Sequence, residues 1–132
     1  MIFIDANVPM YLVAASHPLK TQAQHFLERL IADRERLVTD SEVLQEILHR
    51  YVAIGRRDAI QPAFDLLLGL VDDVFPIDLD AVERAKAIVL GYPMLSARDA
   101  IHVATMRKHA VTRIMSFDGA FDDVPGLTRI TS

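Results

Sequence analysis

The chain has 132 residues, 52% of them hydrophobic and 24% charged, with 5 Gly, 6 Pro and no Cys. This excludes disordered and collagen-like classes, disulfides, thiolate metal sites and thiol nucleophiles, and it fits a single domain over residues 1–132 that needs no staple to fold. The 18 Asp and Glu outnumber the 14 Lys and Arg for a net charge of −4, the wrong sign for wrapping nucleic acid by charge alone, although carboxylates gathered to hold cations would give the same sign.

Ile2-Phe3-Ile4 opens the chain as a short, wholly apolar run, as buried parallel strands do. Its Asp5 and the absence of a basic region argue against a secretion signal, and no apolar run reaches the ~18 residues of a membrane span; a cytoplasmic setting is expected. Ala23, Phe26, Leu27, Leu30 and Ile31 recur at helical spacing. A strand follows at Arg36 to Thr39, then a helix with Val43, Leu44, Ile47, Leu48, Tyr51 and Val52, whose start Thr39 and Glu42 could close as a capping box. Gly55 separates it from a helix carrying Ile60, Phe64, Leu67 and Val71. A weaker strand falls at Val74 to Ile77. The helix from near Leu79 closes at Gly91-Tyr92-Pro93, and another carries Ala97, Ala100, Ile101 and Ala104. Strands at Arg113 to Ser116 and Leu127 to Ile130 complete the pattern. Alternating strands and helices predict an α/β fold with a mainly parallel sheet, in which ligands bind at the carboxyl ends of the strands.

Four carboxylates point to that edge. Asp5 ends the first strand; a helix cap is its ordinary reading. Asp118 follows the strand at 113–116, with a turn at Asp118-Gly119 as the alternative. Asp99 shares a helical stripe with apolar Val103, Met106 and Ala110, where a carboxylate is costly without a partner; Ser96 as N-cap explains its turn but not its company. Glu46 lies on a polar face, one turn into the helix leaving the second strand, and is aimed at the same cleft. Two like charges 4 Å apart repel by ~4 kcal/mol at an effective dielectric of 20, so such a set persists only when protons or cations neutralise it. Oxygen ligands alone suit Mg²⁺ or Mn²⁺.

The segments IFIDANV, TDSEVLQEIL, LSARDAIHVATM and IMSFDGAFDDVPGLTRI, in this order and spacing, resemble the PIN-domain nucleases, and within them the toxins of bacterial VapBC toxin–antitoxin pairs. The resemblance spans essentially the whole chain. It implies a three-layer α/β/α sandwich around a five-stranded sheet and metal-dependent cleavage of RNA. The family's acidic quartet falls on Asp5, Glu46, Asp99 and Asp118. Asp5, Asp99 and Asp118 would then hold Mg²⁺ or Mn²⁺, with Glu46 as a ligand or a base acting through water. Ser116 and Asn7 match the supporting polar positions, and Asp122 matches one that is acidic in only some members. The implied partners are RNA, a cognate antitoxin and a second copy in a homodimer.

Other readings compete. Glu46-x-x-His49 and Asp99-x-x-His102 have di-iron spacing, but the β-rich runs contradict a four-helix bundle, and the helical wheel puts His102 on a solvated stripe with Arg98, Thr105 and His109. A phosphatase-like enzyme would want Asp where Asn7 stands. A non-catalytic binding module of the same fold would be expected to lack part of the quartet. The apolar run Leu66 to Val71 is read either as buried in the core or as a protein interface.

Overall fold

The computed structural model describes residues 1–131. Five short strands, β1 (Ile2–Ile4), β2 (Leu37–Asp40), β3 (Asp73–Phe75), β4 (Arg113–Met115) and β5 (Thr128–Ile130), form one sheet in the order β3-β2-β1-β4-β5. Every pairing is parallel: Phe3 lies opposite Val38 on one side and Ile114 on the other, and Met115 lies opposite Ile130. Six helices connect them: α1 (Asn7–Val13), α2 (Lys20–Ala32), α3 (Ser41–Ala53), α4 (Ile60–Leu70), α5 (Leu79–Gly91) and α6 (Ala97–Lys108).

The strand order fixes the layers. From β1 the chain steps outward to β2 and β3, then crosses back to β4 on the far side of β1. Right-handed crossovers therefore put α1 to α4 on one face and α5 with α6 on the other. The packing agrees: α1 rests on α2 and α4, α3 on α4, and α5 on α6. The central strand is covered on both faces, with Ile2, Phe3 and Ile4 fully buried, which is why its sequence does not alternate. At the β1–β4 junction the connections leave to opposite faces, and a crevice opens beyond the carboxyl ends of these strands. The opposite edge is closed by structural pairs, such as the two-pronged contact of Arg113 with Glu35 at 3.0 and 3.2 Å.

Strand boundaries differ slightly from the sequence reading, and the differences have local causes. β2 runs on to Asp40, whose Oδ1 accepts from Val43 N at 2.9 Å and caps α3. Thr39 does not cap; its hydroxyl donates to Ile4 O at 2.9 Å across the sheet. Helix α1 was not marked by any apolar periodicity, being only two turns long. The Leu66 to Val71 run is not wholly buried: Leu67 is fully covered, Leu68 is 48% exposed, and Leu66, Gly69 and Leu70 line an apolar groove of about 320 Å³ with Leu12, Leu27 and Ile31.

Candidate active site

The chain leaves β1 at Asp5, which is 4% exposed. Its Oδ1 accepts from Ala6 N at 2.8 Å, and its Oδ2 accepts from the Ser116 hydroxyl and, at 3.4 Å, from Asn7 Nδ2. Ser116 follows the neighbouring strand β4, so the parallel pairing itself brings these groups together. The Ser116 Oγ also accepts from Asn7 Nδ2 at 3.2 Å and from Asp118 N at 3.1 Å. Asn7 completes the ring by accepting from Phe117 N at 3.3 Å. The two supporting residues thus fix Asp5 and Asp118 relative to each other. Asp118 Oδ1 accepts from Ala120 N at 2.9 Å, so the cap reading and the site placement both hold for that residue.

The other two carboxylates arrive from opposite layers. Glu46 projects from α3 and Asp99 from the first turn of α6, where Asp99 N donates to Ser96 Oγ at 3.1 Å. A cavity of about 200 Å³ is lined by Asp5, Asn7, Glu46, Asp99 and Asp118, together with Ala6, Met10, Arg50 and Arg98. All four acidic positions anticipated from the sequence share it. Asp122 does not line the cavity; it is joined to Arg129 by contacts of 2.7 and 3.0 Å, which hold its carboxyl below the usual range, and Arg129 in turn donates to Ser116 O at 3.2 Å.

The charges in this cavity are under electrostatic load. Burial, then the Asp5 charge, push Glu46 up to about 7, against the opposing pull of His102. Burial followed by Asp5 and Asp118 push Asp99 up to about 6. Such shifts mark carboxylates that lack enough neighbouring positive charge, the condition a bound cation relieves.

His102 corrects the expectation of a solvated histidine. It is fully buried, and its Nδ1 meets Asp40 Oδ2 at 2.8 Å. The wheel failed because α6 is covered nearly all round, including Thr105 of the same stripe. Burial alone would lower the imidazole pKa, but the charges of Asp40, Asp5 and Glu46 outweigh it and raise it to about 9. The ring Nε2 has no hydrogen-bond partner and stands 3.9 Å from Asp5 Oδ1 and 4.0 Å from Glu46 Oε2. His102 is therefore a cation beneath the carboxylates, tied to the second strand. Sequence reasoning also missed Asp40, though it stands at the carboxyl end of a strand as Asp5 does, and missed Arg50 and Arg98 at the cavity wall.

The donor set fits a hard divalent cation: four carboxylates, two from strand ends and two from helices, with two raised carboxyls among them. Atoms of Asp5, Glu46 and His102 lie within 4.8 Å of one another, so the imidazole sits at the base of the same site. The pattern of the PIN domain matches residues 2–127. The chain belongs to the PIN-domain family. Ribonuclease VapC13 of Mycobacterium tuberculosis is 59% identical to it over 130 residues, spanning 98% of this chain and 99% of the relative. Among solved structures, this PIN domain is similar to VapC20 of M. tuberculosis, a sarcin–ricin loop cleaving toxin, with a TM-score of 0.76 and 26% identity over 92% of this chain and 93% of that one. VapBC2 of Rickettsia felis, solved on a DNA fragment from its promoter, shares the fold with a TM-score of 0.74 at 16% identity, covering 98% of both chains. The five-stranded parallel sheet expected from the sequence is the one this family shares.

Proposed function

We propose that this PIN domain is a divalent-metal-dependent endoribonuclease, the toxin of a type II toxin–antitoxin pair. The observation that carries the reading is the convergence of Asp5, Glu46, Asp99 and Asp118 on one cavity at the β1–β4 switch point. The high identity to a VapC ribonuclease supports it. Asp5, Asp99 and Asp118 would hold Mg²⁺ or Mn²⁺, with Glu46 as a ligand or as a base acting through water. When bound, such a cation supplies a hydroxide near neutral pH and stabilises charge on a phosphoryl oxygen. Ser116 and Asn7 keep Asp5 and Asp118 in place, and Arg50 and Arg98 at the cavity wall meet the phosphate backbone. RNA is then attracted by cations and two guanidinium groups, which reconciles a polyanionic substrate with a chain of net charge −4.

The partners follow from the same reading. The apolar groove between α1, α2 and α4 suits a protein partner, here a cognate antitoxin, and a homodimer is the assembly proposed. No helix among the described residues is long and apolar enough to cross a membrane; a cytoplasmic setting is proposed because RNA is the substrate. Purified protein incubated with RNA and Mg²⁺ or Mn²⁺ tests the reading. Cleavage should stop in EDTA and be lost in Asp118→Asn. Cleavage that persists unchanged in EDTA would overturn the metal mechanism.

A further inference from the structure

Beside the acidic cavity lies a larger one of about 570 Å³, walled by the α1–α2 loop, the end of α3 and the turn that follows it. The two cavities share Met10 and Arg50 in their walls. Inside the larger one Tyr11 stacks on His17, with ring centroids 4.0 Å apart and planes within 16°. Tyr11 also leans on Phe117, tilted by 51° with centroids 5.4 Å apart, and Phe117 directly precedes Asp118. A row of three rings therefore leads from the second cavity to the carboxylates. The two arginines of this cavity differ. Arg56 is bound by both prongs to Asp58 at 3.0 and 3.1 Å, whereas Arg50 is exposed and forms no ion pair among the described residues.

An unpaired guanidinium suits a phosphate, and stacked rings suit the face of a base; single-stranded RNA offers both. An acidic peptide would use Arg50 and leave the rings without a role. We propose that this second cavity is a nucleotide subsite for single-stranded RNA next to the cleavage site, with Tyr11 and His17 as the base platform and Arg50 as the phosphate contact. The proposal rests on the ribonuclease reading and extends it to how the strand is held.

The test uses full-length Asp99→Asn protein with Mg²⁺ and a fluorescein-labelled, unstructured RNA of about ten nucleotides, read by anisotropy. Replacing Tyr11→Leu in that background should weaken binding at least about fivefold, the loss of one stacked base, while Tyr11→Phe keeps it. Arg50→Gln should weaken binding and reduce the slope of log affinity against log salt by about 0.7, one phosphate contact on a single strand. Mn²⁺ binding by wild-type protein, measured by calorimetry, should be unchanged by Tyr11→Leu, which a collapsed fold would not allow. If the protein without these changes neither binds RNA nor, as wild type, cuts it, the ribonuclease reading fails. If it does both, and Tyr11→Leu binds as tightly as its parent, the subsite is refuted, whatever Arg50→Gln does. Binding of poly-glutamate that is lost in Arg50→Gln, with RNA affinity unaltered, would assign the cavity to an acidic protein segment instead.

Discussion

Replacing Asp99 by Asn should stabilise the protein in the absence of metal. Residue Asp99 is 7% exposed, and its carboxyl is raised from 3.8 to about 6 by burial and by the charges of Asp5 and Asp118. Two pKa units correspond to about 3 kcal/mol, a ceiling because the group faces an open crevice where solvent screens it. Asn keeps the shape but gives up the favourable position of a negative charge in the first turn of α6, ~0.3–1 kcal/mol. A net gain of about 1–2 kcal/mol remains. For 132 residues the unfolding entropy is about 280 cal/mol/K, so the Tm should rise by about 4–7 °C. The sign with pH follows from linkage. Because the folded pKa is raised, wild type loses stability as pH rises from about 4 through about 6, and the cost is complete above that. The gap between variant and wild type should therefore be widest near pH 8 and close towards pH 4. Excess Mn²⁺ should reverse the order, since ligand at 100 times its Kd adds about 2.7 kcal/mol to the protein that binds it. Thermal melts of both proteins in EDTA and in Mn²⁺, at pH 8 and pH 4.5, provide the assay. A variant that melts below wild type in EDTA at pH 8, and gains as much from Mn²⁺, would show that Asp99 is only a helix-start residue.

His102→Ala leaves Asp40 buried without its partner and should cost about 3–5 kcal/mol, seen as a Tm lower by roughly 10–18 °C; with the imidazole held at about 9, this wild-type advantage is full below pH 6.5 and is lost as pH rises past 9. Ala110, exposed just past α6 with φ 56°, occupies a left-handed position, and Ala110→Gly should raise the urea midpoint by the equivalent of about 0.5–1 kcal/mol. Asp122→Asn should leave Mn²⁺ affinity and RNA cleavage near wild type, because that side chain is engaged with Arg129, whereas Asp5→Asn should lower cleavage by on the order of 10²-fold. Quantitative cleavage of a labelled RNA separates the two.

The strand-end rule found Asp5 and Asp118 because a parallel sheet exposes its carboxyl edge, and β1 and β4 read plainly as apolar runs. Asp99 stood out on its apolar stripe, of which Val103 and Met106 are fully buried, while Ala110 lies exposed beyond the end of α6. What pattern could not give was the environment of α6. A helical wheel assumes one face in water, while α6 lies against the sheet, α5 and α3, so that even His102 and Thr105 are covered. Asp40 escaped notice because β2 was ended one residue early at Thr39, which transferred the capping role to the wrong side chain. The edge strands β3 and β5 were blurred for a related reason: with one neighbour each and partly exposed residues, they carry little apolar signal. Arg50 and the Tyr11–His17 stack depend on where α3 ends relative to α1, which is a matter of packing alone.

The carboxylates of the crevice come from positions 5, 46, 99 and 118, and Ser116, just past β4, is the group that holds Asp5 in place. No fragment that stops short of β4 contains this arrangement, and β1 lacks one of its two neighbours until β4 is present. In a growing chain Asp5 is therefore made long before it has a site to belong to, because Asp99, Ser116 and Asp118 follow it by more than ninety residues. The acidic site is thus a property of the finished sheet, and partly made chains present its carboxylates only as separate charges.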